Sequence, residues 1–101
     1  MSEYGFNPNS TVSIAATSTT GRVAVPGATK HRRRIQVTIA AGDDPAFLAF
    51  GDDSVNAALT DMPVLPGTTR DFFMQEGQTH VAAICASTET ATVYITEGQM
   101  G

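Results

Sequence analysis

The sequence predicts an all-β fold: a small β-sandwich or barrel, jelly-roll or Ig-like, of about 7–8 short strands. Three observations predict it. Apolar and polar residues alternate with period two in at least four places, most clearly at Ile35, Val37 and Ile39. Turn signals such as Pro26-Gly27, Gly42 to Pro45 and Pro66-Gly67 recur every eight to twelve residues. No stretch carries a sustained helical repeat. With 101 residues the chain is one domain by default, and such a domain buries somewhat over ~60% of its unfolded surface.

In order, residues 1–10 read as an extended arm, broken by Gly5, Asn7, Pro8, Asn9 and Ser10. Tyr4 and Phe6 are its aromatic anchors; the competing reading is a frayed terminus. Residues 11–98 form the β domain and residues 99–101 a loose tail. Residues 11–16 alternate, with Val12 and Ile14 on one face. Residues 22–25 are a short strand ended by Pro26-Gly27. Residues 33–40 form the third strand, with Ile35, Val37 and Ile39 inward and Arg34, Gln36 and Thr38 outward. Residues 46–50 do not alternate, which implies burial on both faces. Residues 54–59 form either one helical turn, capped by Asp53 or Ser54, or a loop. Residues 62–65 are a short extended piece between Pro63 and Pro66. Residues 68–74 are a strand with Phe72 or Phe73 in the core. Residues 79–98 read as two strands and the turn between them, a half-buried hairpin: Val81, Ala83 and Cys85 alternate with Ala82 and Ile84, and Thr92, Tyr94 and Thr96 alternate with Val93 and Ile95. Residues 25–30 (VPGATK) also echo residues 65–70 (LPGTTR), forty positions later. Two similar halves would suit a two-sheet sandwich, and chance in a Pro/Gly-rich chain explains the echo equally well.

Composition excludes several functions. The formal net charge is −4, which argues against nucleic-acid or membrane binding. Charged residues make up 16%, against a usual ~25%, so the surface is neutral and suited to being covered. The N-terminus has neither the basic region nor the apolar core of a signal peptide. Cys85 is the single cysteine, in an apolar run, and reads as a buried inert thiol.

Candidate chemistry is sparse. Lys30 to Arg34 hold four of the six basic residues and read as a contact with an acidic protein surface or as the solvated start of a strand. Asp43, Asp44, Asp52 and Asp53 flank residues 46–50 and fit turn and cap roles better than a calcium loop. His31, His80 and Cys85 are too few for a zinc site. No nucleophile elbow or phosphate loop occurs. The expectation is no enzyme, no cofactor and no metal.

Residues 47–60 (FLAFGDDSVNAALT), then Asp61-Met62-Pro63-Val64-Leu65-Pro66-Gly67, then residues 79–84 (THVAAI) and the ending Val93-Tyr94-Ile95-Thr96-Glu97-Gly98 resemble a group of small tailed-bacteriophage structural proteins. The match covers roughly residues 45–98; Asp53 stands where the pattern most often has Ser. Gly51 and Gly67 read as its turn glycines. The resemblance implies a capsid decoration (cement) protein on the virion head, made in the bacterial cytoplasm, contacting the major capsid protein or other virion proteins. Oligomerisation, as a trimer first of all, would supplement a modest core. Tyr4, Phe6, Arg32, Arg33 and Arg34 are the expected partner-binding residues. The alternatives are a head–tail connector, collar or tail subunit, and a carbohydrate-binding adhesion module. The last would want exposed aromatics, and there are two Tyr and no Trp.

Overall fold

The structure, a computed structural model, describes residues 6–25, 33–75 and 77–100, without the side chains of residues 6–9, 33, 99 and 100. It has eight strands: β1 (Phe6–Ala16), β2 (Gly21–Ala24), β3 (Arg33–Ile39), β4 (Ala46–Gly51), β5 (Met62–Val64), β6 (Thr68–Met74), β7 (His80–Ile84) and β8 (Ala91–Met100). They form two four-stranded sheets, β1-β8-β3-β6 and β2-β7-β4-β5. Every pairing is antiparallel.

The pairings nest. β4 pairs with β5, β3 with β6, β2 with β7 and β1 with β8, so the chain is one long folded-back ribbon. Rolling that ribbon adds β3–β8 and β4–β7 and closes each sheet. This is a jelly roll, two interlocked Greek keys that bury one face of each sheet against the other.

The core follows from the alternation. Ile35, Val37 and Ile39 of β3 and Val93 and Ile95 of β8 are 0% exposed, as are Val64, Met74 and Val81 from β5, β6 and β7. Ile14, Ala16, Val25, Ala46, Leu48, Ala83, Cys85 and Ala91 belong to the same cluster. Phe72 packs at its margin, edge-on to Phe50 with ring centroids 5.2 Å apart. Phe73 points outward, 51% exposed.

Three expectations are corrected. Residues 79–98 contain two strands but no hairpin: β7 lies in the second sheet and β8 in the first. Alternation records which face of a strand is buried and says nothing of its neighbour. Two strands facing one core from opposite sheets alternate just as hairpin partners do. The connection crosses between sheets, with Glu89 N–H bonded to the Ala86 carbonyl at 3.0 Å and Thr88 in the left-handed region at φ 66°.

Strand pairing reaches into the segments expected to be arm and tail. β1 begins at Phe6 and β8 runs to Met100, paired Phe6 to Met100 and Asn7 to Gln99, with a register shift between Pro8 and Ser10. Pro8 reads as a strand breaker in sequence. An edge strand is where a sheet tolerates proline, and β1 is an edge with its register shift beside Pro8.

Gly51 is not a turn glycine. It ends β4, and an added Cβ would lie 3.0 Å from Val55 Cβ and Cγ2. Gly67 does turn the chain, at φ 77°. After Gly51 the chain forms a loop without helix, and its organiser is Asp52: Oδ1 accepts the Ser54 amide at 2.9 Å and the Ser54 hydroxyl at 2.6 Å. Asp43 and Asp44 take turn roles. Their carboxylates accept the Thr92 and Thr90 amides, each at 3.1 Å, and pin the β3–β4 loop to the start of β8.

Candidate contact surface

The two sheets present different outer faces. Residues 52–61 fold back over the second sheet. Val55 sits on Gly51, the Arg22 guanidinium donates to the Val55 carbonyl at 3.4 Å, and Ala57 N–H donates to Thr20 Oγ1 at 2.8 Å. That path crosses β7, whose Ala82 is 0% exposed although it lies outside the core cluster. This explains why residues 46–50 lack alternation, since Phe47 and Ala49 are half-buried on the covered side.

The outer face of the first sheet is open and almost uncharged. Register aligns Ser13, Tyr94, Thr38 and Thr69 in one row across four strands, and Thr11, Thr96, Gln36 and Asp71 in the next. Thr11 and Thr96 hydroxyls meet at 2.9 Å, and those of Thr38 and Thr69 at 3.0 Å. Such threonine pairs tie neighbouring strands and leave methyl groups outward. Tyr94 stands 44% exposed among them. The charges at the end of this face are matched internally: Arg34 Nη2 donates to Asp71 Oδ2 at 2.6 Å, and the guanidinium lies 5.7 Å from the Phe73 ring centroid.

Of the expected contact residues, Tyr4 and Arg32 lie outside the described residues, as do Lys30, His31 and the Pro26-Gly27 turn. The start of β1, the start of β3 and the ends of β6 and β8 meet at one end of the first sheet, where Pro8 aligns with Gly98, Gly98 with Arg34 and Arg34 with Phe73. The register therefore brings the strand position of Phe6 to the same end as those of Arg33 and Arg34, more than 25 residues away in sequence. Arg34 is ion-paired with Asp71.

Sequence reasoning missed Tyr94 as a surface residue, although its parity opposite Val93 and Ile95 marks it outward. It also missed an apolar edge: Leu59, Met62 and Leu65 are 51%, 47% and 56% exposed. These flank or lie in β5, where Pro63 and Pro66 drew attention to turns instead.

Elsewhere the polar groups serve structure. Thr79 Oγ1 and His80 Nδ1 are 2.8 Å apart. Cys85 is 1% exposed with Sγ 3.8 Å from the Ala16 carbonyl, and burial pushes its thiol pKa up, assisted by Asp44, Glu89 and Asp43. Among the described residues no three His, Cys, Asp or Glu side chains converge as metal ligands would.

No protein-family profile and no curated protein matches this sequence. The fold is similar to that of a chain from a solved structure of Bacillus endospore appendages, described as a novel family of disulfide-linked pili. The two share 15% sequence identity over 99% of this chain and 94% of that one, with a TM-score of 0.59. Similarity at that identity is similarity of fold.

Proposed function

We propose that this chain is a non-enzymatic structural subunit of a tailed-phage virion: a decoration (cement) protein that binds the assembled head through the major capsid protein and stabilises it. The observation that carries the reading is the open face of β1-β8-β3-β6, broad, threonine-rich, centred on Tyr94 and without an unmatched charge in its described rows. Interface cores are depleted in charge and enriched in Tyr, because burying an unpaired charge costs more than the contact returns. The phage-like motifs at residues 47–67, 79–84 and 93–98 point the same way. A jelly roll by itself hosts many functions.

Assembly by disulfides, as in the pili of similar fold, does not suit these residues. One cysteine per subunit can make one intermolecular bond and so stops at a pair, and Cys85 is buried. Non-covalent oligomers, with a trimer at threefold head positions, fit the decoration role. The site of action is then the virion head surface, after synthesis in the bacterial cytoplasm. A neck or tail subunit would use the same neutral face, and copy number per particle separates the two.

The direct test compares heads with and without the protein under heat and osmotic shock. Decorated heads should survive treatment that ruptures bare ones, and equal survival would end the stabilising role.

A further inference from the structure

The basic run at residues 30–34 suggests an acidic partner surface when read in sequence. Granted the decoration role proposed above, the charges on the open face of the first sheet point to a different kind of head surface.

Arg34 and Asp71 are the charged residues in the described rows of that face. They stand on neighbouring strands in a diagonal relation, because Arg34 faces Phe73 while Gln36 faces Asp71. Arg34 Nη2 donates to Asp71 Oδ2 at 2.6 Å, with side chains 23% and 46% exposed. Arg34 Nε is sealed from solvent, and the guanidinium lies 5.7 Å from the Phe73 ring centroid. Both charges are therefore spent within the face before any partner arrives.

A partner carboxylate would have to compete with Asp71 for the guanidinium, and would come to rest beside the Asp71 charge. A partner cation meets the mirror problem with Arg34. An uncharged surface meets neither, since each charge enters the contact with its counter-charge beside it. The remaining rows ask for no charge either. The hydroxyls of Thr11 and Thr96 bond each other, as do those of Thr38 and Thr69, and Tyr94 stands exposed beside them.

We propose that the head surface seated on this face is uncharged where it meets β3 and β6, and that Arg34 and Asp71 act as a self-cancelling pair. Docking depends on their offsetting each other, and neither reaches across to a charge on the head. Arg34 then serves the contact by being neutralised in place.

Binding of the full chain to purified heads that lack it, read as a dissociation constant, tests this through three variants. Asp71→Asn leaves Arg34 unmatched and Arg34→Gln leaves Asp71 unmatched; each should weaken binding about tenfold. The double variant restores neutrality and should bind within about threefold of the wild type, since the two changes are coupled. An exposed ion pair adds little to stability, so the variants should fold, and circular dichroism checks that they do. Salt supplies a measurement that needs no variant. Raising it from about 0.1 to about 1 M shortens the screening length from about 10 to about 3 Å, and wild-type affinity should not fall.

An acidic head surface gives the opposite pattern. Asp71→Asn would bind more tightly, the double variant would be as weak as Arg34→Gln, and salt would weaken the wild type. Any one of these results, or three variants that all bind as the wild type does, would overturn the proposal and leave decoration standing. Wild-type protein that fails to bind heads at all would end both.

Discussion

At Gly51 the chain leaves out one methyl group so that a loop can lie on a strand. Adding it back would press Cβ against Val55 at 3.0 Å. Gly51→Ala should therefore cost about 1 kcal/mol in denaturant unfolding, the lower end of overpacking penalties because Val55 sits in a loop that can yield. Combining it with Val55→Ala should recover that loss. The next residue sets the loop's shape. Ser54 lends Asp52 its hydroxyl and its amide, which together hold the carboxyl pKa below the ordinary 3.8. A depressed folded pKa stabilises above the unfolded value and loses that contribution as pH falls through the folded one. The loop should thus be intact above pH 3.8 and loosen only below it. An NMR titration of Asp52 should find its midpoint below 3.8, and Ser54→Ala should move it back up. Cys85 offers a simpler check. A thiol reagent should label it only through unfolding, so native protein stays unlabelled while protein in denaturant reacts at once. The Asp and Cys roles were legible in sequence, from turn chemistry and from an apolar alternating run. The role of Gly51 was not, because a close approach from four residues away leaves no local pattern.

Strands are where sequence was most informative and also where it misled. Period two placed Ile35, Val37 and Ile39 inward, and all three are 0% exposed. Ile35→Ala should cost about 3 kcal/mol in a guanidinium melt, a transfer loss plus a cavity. That is a large part of the ~5–15 kcal/mol available to a small domain. A loss under about 0.5 kcal/mol would mean that the β3 face is not the core. The same pattern says nothing about neighbours. β7 and β8 read as neighbours in sequence, yet they lie in different sheets instead of hydrogen-bonding side by side. Partner choice is a property of the rolled ribbon, set by pairings such as Phe6 with Met100 that lie at opposite ends of the chain. The ends of β1 and β8 were hidden for a related reason. Pro8 breaks a strand in general but is tolerated at a sheet edge, and edge position is known only once the sheet is.

At the scale of the molecule, the two outer faces divide the labour. One is covered by the chain's own residues 52–61; the other is left open among the described residues, and paired threonines tie its strands. That asymmetry was only half visible beforehand. Low charge predicted a surface suited to burial, but not which surface. Tyr4, Phe6, Arg32, Arg33 and Arg34 were chosen from local composition, whereas Tyr94 enters through register. The central claim is that this surface seats the protein many times over on a phage head, and the most direct measurement is its copy number in purified virions. Decoration predicts on the order of hundreds of copies, repeated by the symmetry of the shell. A ring-sized number would place the chain in the neck or tail, and absence from the particle would contradict the account.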